Sequence, residues 1–197
     1  GLAERGVATL LFDYRRFGDS EGTPRGVVSI EDQLADWMAA IERAVTLDGV
    51  DTDHLALWGH SLGGGHALRV AAEDYRVDAV IGHSPIVDGR AVLRSNGYTW
   101  LGNALLAGVR DRVGGFVGRN HHLPVVPRQW YDADDTRTDS DDLDETSAGE
   151  SQSRDQRALL PHRAAAEAFS DLVPLRSDWE NRIRARIVLD LWGYNPG

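Results

Sequence analysis

The chain has 197 residues, 42% of them hydrophobic, and a formal net charge of −10. That length supports one domain with a sizeable core. The acidic balance argues against nucleic acid and anionic membranes as partners, and the absence of cysteine excludes disulfides and thiolate chemistry. All 21 basic residues are arginine. Acidic excess without lysine fits a halophilic protein, and the arginine usage fits a GC-rich genome as well. No apolar run approaches the roughly 18 residues that span a bilayer. No basic segment followed by an apolar one opens the chain, so no secretory signal is visible and a cytoplasmic location is expected.

Gly1 to Gly6 reads as a helix end with Gly6 as its stop signal. Val7 to Tyr14 (VATLLFDY) is a near-continuous apolar run, the pattern of a strand buried in a parallel sheet. Arg15 to Gly26 follows as a polar, glycine-rich loop. Ser29 is placed to cap a helix, with Glu31 and Asp32 in its first turn. Ile30, Leu34, Trp37, Met38, Ile41 and Val45 then recur at helical spacing, which predicts one face packed on a sheet. A strand over 54–58, a helix over about 62–74 and a third apolar run, Val77 to Gly82, complete a strand–helix–strand–helix–strand order. That order predicts parallel strands joined by right-handed crossovers.

Beyond residue 89 the character changes. Ala91 to Val117 is mixed, with several glycines and short helical stretches. Residues 132–155 carry ten Asp or Glu and almost no apolar groups, which predicts a solvated or disordered loop. Asp139-x-Asp141 within it lacks the glycine and the spaced glutamate of a calcium loop, so no metal is expected. Ala164 to Phe169 and Trp179 to Leu191 read as helices.

The chemistry concentrates in Gly59-His60-Ser61-Leu62-Gly63. A short apolar strand, a turn with serine at its apex and a small-residue helix make a nucleophile elbow. A serine hydroxyl attacks a carbonyl only when a base can reach it, and the sharp turn makes Ser61 protrude in a strained conformation. Side chains at 59 and 63 would meet neighbouring backbone in such a turn, so glycine is expected at both. The N–H of Leu62, at the start of the following helix, lacks a helical acceptor and can face a developing oxyanion. The bland alternative is a glycine-rich turn leading into a helix.

Asp13-Tyr-Arg-Arg-Phe-Gly-Asp-Ser-Glu-Gly22 and Gly59-His-Ser-Leu-Gly-Gly64, with one helix between, together resemble the α/β-hydrolase superfamily. The nearest flavour is its serine aminopeptidase-like and dienelactone-hydrolase-like branch. Under this resemblance, Val7–Tyr14 corresponds to the family's fourth strand and Val77–Gly82, followed by His83-Ser-Pro-Ile-Val-Asp88, to its sixth strand and loop. The fold implied is α/β, a mostly parallel sheet with flanking helices. Residues 1–89 would form a partial core, and 90–197 a helical cap or lid. The family has strands ahead of Val7, and the loop after its third strand carries the second oxyanion N–H. Its acid usually follows the seventh strand and its histidine the eighth. The chain is therefore expected to be an internal fragment.

Ser61 needs a base within hydrogen-bond reach and an acid to orient that base. His60 is sent away from the serine by strand alternation, while His83 ends the third apolar run and could line a pocket. His66 is expected to pack or hydrogen-bond structurally. His121 and His122 would need further ligands to hold zinc, and His162 begins a helix. Asp88 falls where some superfamily members place the acid, though an aspartate before Gly89 also suits a turn. Asp13 is expected to fix the Arg15–Gly22 loop through backbone hydrogen bonds.

The function expected is a serine hydrolase acting on a small-molecule acyl substrate, an ester, thioester or amide, with no cofactor. An acyltransferase on the same fold and a non-catalytic fragment are the alternatives. The oligomeric state is not legible.

Overall fold

The computed structural model describes residues 1–127, 158–161, 163, 165–166 and 180–196. They divide into two compact units, Gly1–Val92 with Asp190–Gly197, and Leu93–Leu189. The predicted acidic loop 132–155, the Asp139-x-Asp141 pair and His162 lie outside the described residues.

In the first unit, Ala3–Arg5 forms a short 3₁₀ turn closed by Gly6 at φ 76°. Helix α1 spans Ile30–Ala44. Its start is set by Ser29, whose side chain accepts from the Asp32 N–H, while Glu31 and Asp32 complement the helix dipole. The periodic apolar face turns inward at Trp37 and Ile41, with Gln33 buried beside them. Met38 stays 36% exposed, at the margin of that face.

Strand β1 spans Leu55–His60, helix α2 Leu62–Glu73 and strand β2 Val77–His83. β1 and β2 pair in parallel, with Leu57 opposite Val80 and His60 opposite His83. One face of this ribbon meets the helices. There Trp37, Ile41, Leu57, Ala67 and Val70 form a cluster joined by Tyr14, Leu34, Leu55, Val77 and Val80. Full burial of each such large apolar side chain contributes about 1.5–3 kcal/mol. The opposite face is open, with Trp58 61% and Ile81 60% exposed.

Val7–Tyr14 departs from its predicted strand. It pairs with no strand among the described residues, and Leu11 is 87% exposed. Its composition suits a sheet interior, but a strand exists only through a hydrogen-bonded neighbour. The segment is held through its side chains instead. Phe12 meets Trp37 edge-on at 5.4 Å, and Trp37 Nε1 donates to the Tyr14 hydroxyl at 2.7 Å. An open cleft of about 480 Å³ runs along this segment and α1, lined by Leu11, Phe12, Arg15, Asp36, Ala40 and Arg43.

Helix α3 (Gly89–Ser95) begins after β2, and helix α5 (Ile187–Gly193) ends beside its start. Gly89 N donates to Tyr194 O at 3.0 Å, and Arg90 Nε donates to Trp192 O at 2.9 Å. The Arg90 guanidinium also lies 5.5 Å above the Trp192 ring. A Cβ on Gly89 would sit 1.9 Å from Leu191 O, so the two segments approach as closely as backbone allows.

The second unit is built on helix α4, Tyr98–Gly114. The mixed stretch predicted over Ala91–Val117 is therefore dominated by one long helix. Its three internal glycine and asparagine positions lower propensity, but tertiary packing overrides it: Gly108 lies against Ala185 O and the Leu189 side chain, where a Cβ would be 3.1 Å from each. Strand β3 (His122–Leu123) pairs antiparallel with β4 (Ile183–Arg184). The helix expected over Trp179–Leu191 is thus confined to α5, because Ile183–Arg184 is taken by strand pairing. Asn181 accepts from the N–H groups of Val125 and Val126 and donates to Val126 O, each at 2.9–3.0 Å.

At the centre of this unit Asp111 is fully buried. Arg184 Nε donates to its Oδ1 and Arg186 Nε to its Oδ2, both at 2.8 Å, and His121 N donates to Oδ1 at 2.9 Å. Burial alone would raise the carboxyl pKa, but these donors outweigh it and hold Asp111 at about 2. Arg184 is only 1% exposed, so removing the acid strands a buried cation. Asp111→Asn is expected to cost about 3–5 kcal/mol, read as a lower urea midpoint for the unfolding of Leu93–Leu189.

Candidate active site at the turn after β1

Ser61 sits between β1 and α2 at φ 53°, ψ −119°. A non-glycine residue in the left-handed half of the map costs energy and persists only when its surroundings fix it. Here they fix it from both sides. Ser61 N donates to His83 O at 2.9 Å, which continues the β1–β2 pairing into the turn. Ser61 O accepts from Ile86 N at 3.0 Å and from Gly65 N at 3.2 Å. The backbone is thereby fully engaged, while Oγ has no hydrogen-bond partner among the described residues. The Leu62 N–H opens α2 and has no acceptor within the helix.

Close packing dictates the glycines. A Cβ on Gly59 would lie 2.2 Å from Gly63 O and 2.7 Å from Gly64 N. On Gly64 it would be 3.0 Å from Gly59 O, and on Gly65 2.2 Å from Ile86 O. At Gly63 it would meet only the Tyr14 hydroxyl, at 3.6 Å, which is ordinary contact. The expectation of steric need at both 59 and 63 is therefore corrected. The clash is between Gly59 and the Gly63 carbonyl, and the further tight positions are Gly64 and Gly65. The run of three glycines after Leu62 was the sequence signal for this.

The histidines fall into distinct roles. His66, wholly buried, projects from α2 with Nε2 3.0 Å from Gln33 Oε1 and Nδ1 3.0 Å from the Tyr194 hydroxyl. Gln33 Oε1 can only accept, so Nε2 carries the proton and Nδ1 accepts from Tyr194. Burial, aided by the charge of Arg69, lowers His66 from 6.5 to about 4. Burial likewise raises the Tyr194 phenol to about 12. His66 is thus a neutral structural group, as its sequence position suggested. The link to Tyr194, 128 residues away in sequence, had no signal in the sequence.

His60 and His83 pair with each other across the ends of β1 and β2. Their Nδ1 atoms are 2.8 Å apart and their rings stack at 4.8 Å. Asp88 Oδ1 accepts from Ala91 N at 3.0 Å and so caps α3. Asp13 fixes its loop as expected: Oδ2 accepts from Asp19 N at 3.0 Å and its carbonyl accepts from Ser20 Oγ at 2.6 Å. Arg15 and Arg16 tie the same loop to Asp32 and Asp36 of α1. His122 belongs to β3 and His121 precedes it. Among the described residues no group of three His, Asp or Glu side chains is arranged to hold a metal. No helix among them is long and apolar enough to cross a membrane.

Residues 1–139 match the family model described as serine aminopeptidase, S33. The chain belongs to the serine aminopeptidase S33 family of α/β hydrolases. It is 37% identical over 193 residues to the quorum-quenching protein AidA of Acinetobacter baumannii, covering 98% of this chain and 55% of AidA. It is 36% identical over 85 residues to thiohydrolase aneE of Aspergillus aculeatus, covering 43% of this chain and 27% of that protein. The fold superposes on the α/β hydrolase GrgF of Penicillium sp. sh18 with a TM-score of 0.69 and 24% identity, over 99% of this chain and 57% of that one. The chain thus spans about half the length of AidA and GrgF, and a smaller share of aneE.

Two expectations follow from the geometry. Gly59→Ala forces backbone apart at the turn and should lower the unfolding midpoint by the equivalent of about 1–3 kcal/mol, whereas Gly63→Ala should shift it less than half as far. For His66, the unfolded imidazole binds a proton near pH 6.5 and the folded one only near 4. The unfolded state therefore holds more protons between these values, so stability rises with pH across that window and is lost as pH falls from about 6.5 to 4. Urea midpoints at pH 7 and pH 4.5 should differ less in His66→Gln than in the unaltered chain.

Proposed function

We propose that the full-length protein is a serine hydrolase acting on the acyl bond of a small-molecule ester, thioester or amide, with Ser61 as nucleophile. The observation that carries this reading is Ser61 itself. It is held at φ 53° with its backbone hydrogen-bonded on both sides and its Oγ unengaged. An enzyme benefits from such strain because it presents the hydroxyl without a search through rotamers and turns. Membership of the serine aminopeptidase S33 family supports the reaction class. The names of AidA, a quorum-quenching protein, and aneE, a thiohydrolase, are compatible with acyl-bond cleavage.

In the proposed reaction Ser61 Oγ attacks the carbonyl carbon and passes its proton to a general base. The Leu62 N–H accommodates the oxyanion at the positive end of α2. Collapse of the tetrahedral species expels the leaving group with that proton, and water then attacks the acyl-enzyme to free the acid. Loss of one oxyanion donor in such sites costs about 3–4 kcal/mol of barrier. Four described histidines are not offered as the base: His66 is buried and neutral, His60 and His83 engage each other, and His54 pairs with Asp51. Asp88 is the acid position carried by this chain. Its Oδ1 caps α3, and Oδ2 has no partner among the described residues, which leaves it available to orient an imidazole.

A fluorophosphonate probe should label the full-length protein at Ser61, and Ser61→Ala should abolish both labelling and p-nitrophenyl ester turnover. Labelling that survives Ser61→Ala, or a folded protein that is never labelled, would overturn the assignment. Product analysis with an alcohol or thiol acceptor present distinguishes the two acyl acceptors: free acid supports a hydrolase, and acylated acceptor an acyltransferase.

A further inference from the structure

The imidazoles of His60 and His83 are both exposed, yet they converge. They end neighbouring parallel strands and stand directly opposite in register. Their planes are 29° apart with ring centroids 4.8 Å apart, while the two Nδ1 atoms are only 2.8 Å apart. The rings therefore splay, with their Nδ1 edges drawn together and their opposite edges apart. At this separation one Nδ1 donates a hydrogen bond and the other accepts it.

We infer that this pair is a chelating site for a late first-row divalent cation, nickel or copper, with water filling the remaining positions. Neutral imidazole is a favoured ligand for these ions. The geometry discriminates among them. With metal–nitrogen bonds of about 2.0–2.1 Å, nitrogens 2.8 Å apart subtend roughly 85° at the metal. That is close to the right angle of square-planar and octahedral coordination, and well below the tetrahedral angle that zinc prefers. Binding needs no rearrangement of the fold. On chelation the proton of the donating Nδ1 moves to the Nε2 of the same ring, and each exposed ring turns its Nδ1 lone pair towards the cation. The strands that carry the rings are pinned by their ladder and by the Ser61 N to His83 O hydrogen bond, so the two ligands are already in place and little ordering opposes chelation.

The site is independent of the hydrolase reading, since it uses neither Ser61 Oγ nor the Leu62 N–H. Its consequence for the molecule is a second tie between the ends of β1 and β2, beside the residue proposed to act as nucleophile.

The test is metal binding itself. Calorimetric titration of the chain with Ni²⁺ should give one site that either His60→Asn or His83→Asn weakens at least ~tenfold, as loss of one arm of a chelate requires. The double substitution of His121 and His122 by asparagine should leave that site in place. Electron paramagnetic resonance of the Cu²⁺ form should show two imidazole nitrogens, reduced to one in each single variant. Both substituted side chains are exposed, and circular dichroism checks that the fold is kept. Binding that is unchanged in both His60→Asn and His83→Asn, binding that disappears only with His121 and His122, or no Ni²⁺ binding at all would each overturn the inference.

Discussion

Backbone must pass against backbone where β1 turns into α2, and the surrounding structure is arranged around that contact. The Gly63 carbonyl occupies the space a Cβ on Gly59 would need. This proximity lets the chain pass from β1 into α2 through the single residue Ser61 and sets that residue in its left-handed conformation. The turn holds because the parallel pairing of β1 and β2 extends as far as His83, whose carbonyl receives the Ser61 N–H. β2 in turn is positioned by the cluster of Trp37, Ile41, Leu57, Ala67 and Val70 beneath the ribbon. Core packing, strand register and the conformation of one serine are thus successive links in one chain of causes.

The two units use buried polarity in opposite ways. In the first, His66 stays neutral between Gln33 and Tyr194, so burial costs one displaced protonation equilibrium and no net charge. In the second, Asp111 stays ionised among two guanidinium groups and a backbone N–H. A neutral network tolerates small shifts of geometry. A buried ion cluster does not, because each misplaced donor exposes an uncompensated charge to a low dielectric. Positional discipline in the second unit is correspondingly strict around α4 and Ala185–Arg186.

Much of the first unit was legible because its signals are local. The Ser29 cap, the spacing of Trp37 and Ile41, and the glycine–serine turn all act within a few residues. So does the Asp13 loop anchor. What escaped depends on partners distant in sequence. Val7–Tyr14 has the composition of a buried strand, but composition does not supply a neighbour to pair with. α4 carries glycines that read as breaks until Gly108 is seen against Ala185 and Leu189. Ile183–Arg184 reads as helical until His122–Leu123 claims it. In the site, Ser61 and Leu62 could be singled out from the motif, whereas the capping of α3 by Asp88 and the mutual engagement of His60 and His83 emerged only from the strand register and the helix start.

The contact of Gly89 and Arg90 with Trp192 and Tyr194 has a topological corollary. The chain leaves the first unit and re-enters it at one place, so Leu93–Leu189 is topologically a closed loop hung from a clasp. The entropy of closing such a loop grows only logarithmically, with each doubling of length adding about 0.6 kcal/mol. A change of length within that loop therefore alters its closure entropy only slightly, while the Asp111 cluster still dictates the geometry around α4. The grip of Gly89 and Arg90 on Trp192 and Tyr194 thus fixes, wholly within the first unit, where the two ends of that loop meet.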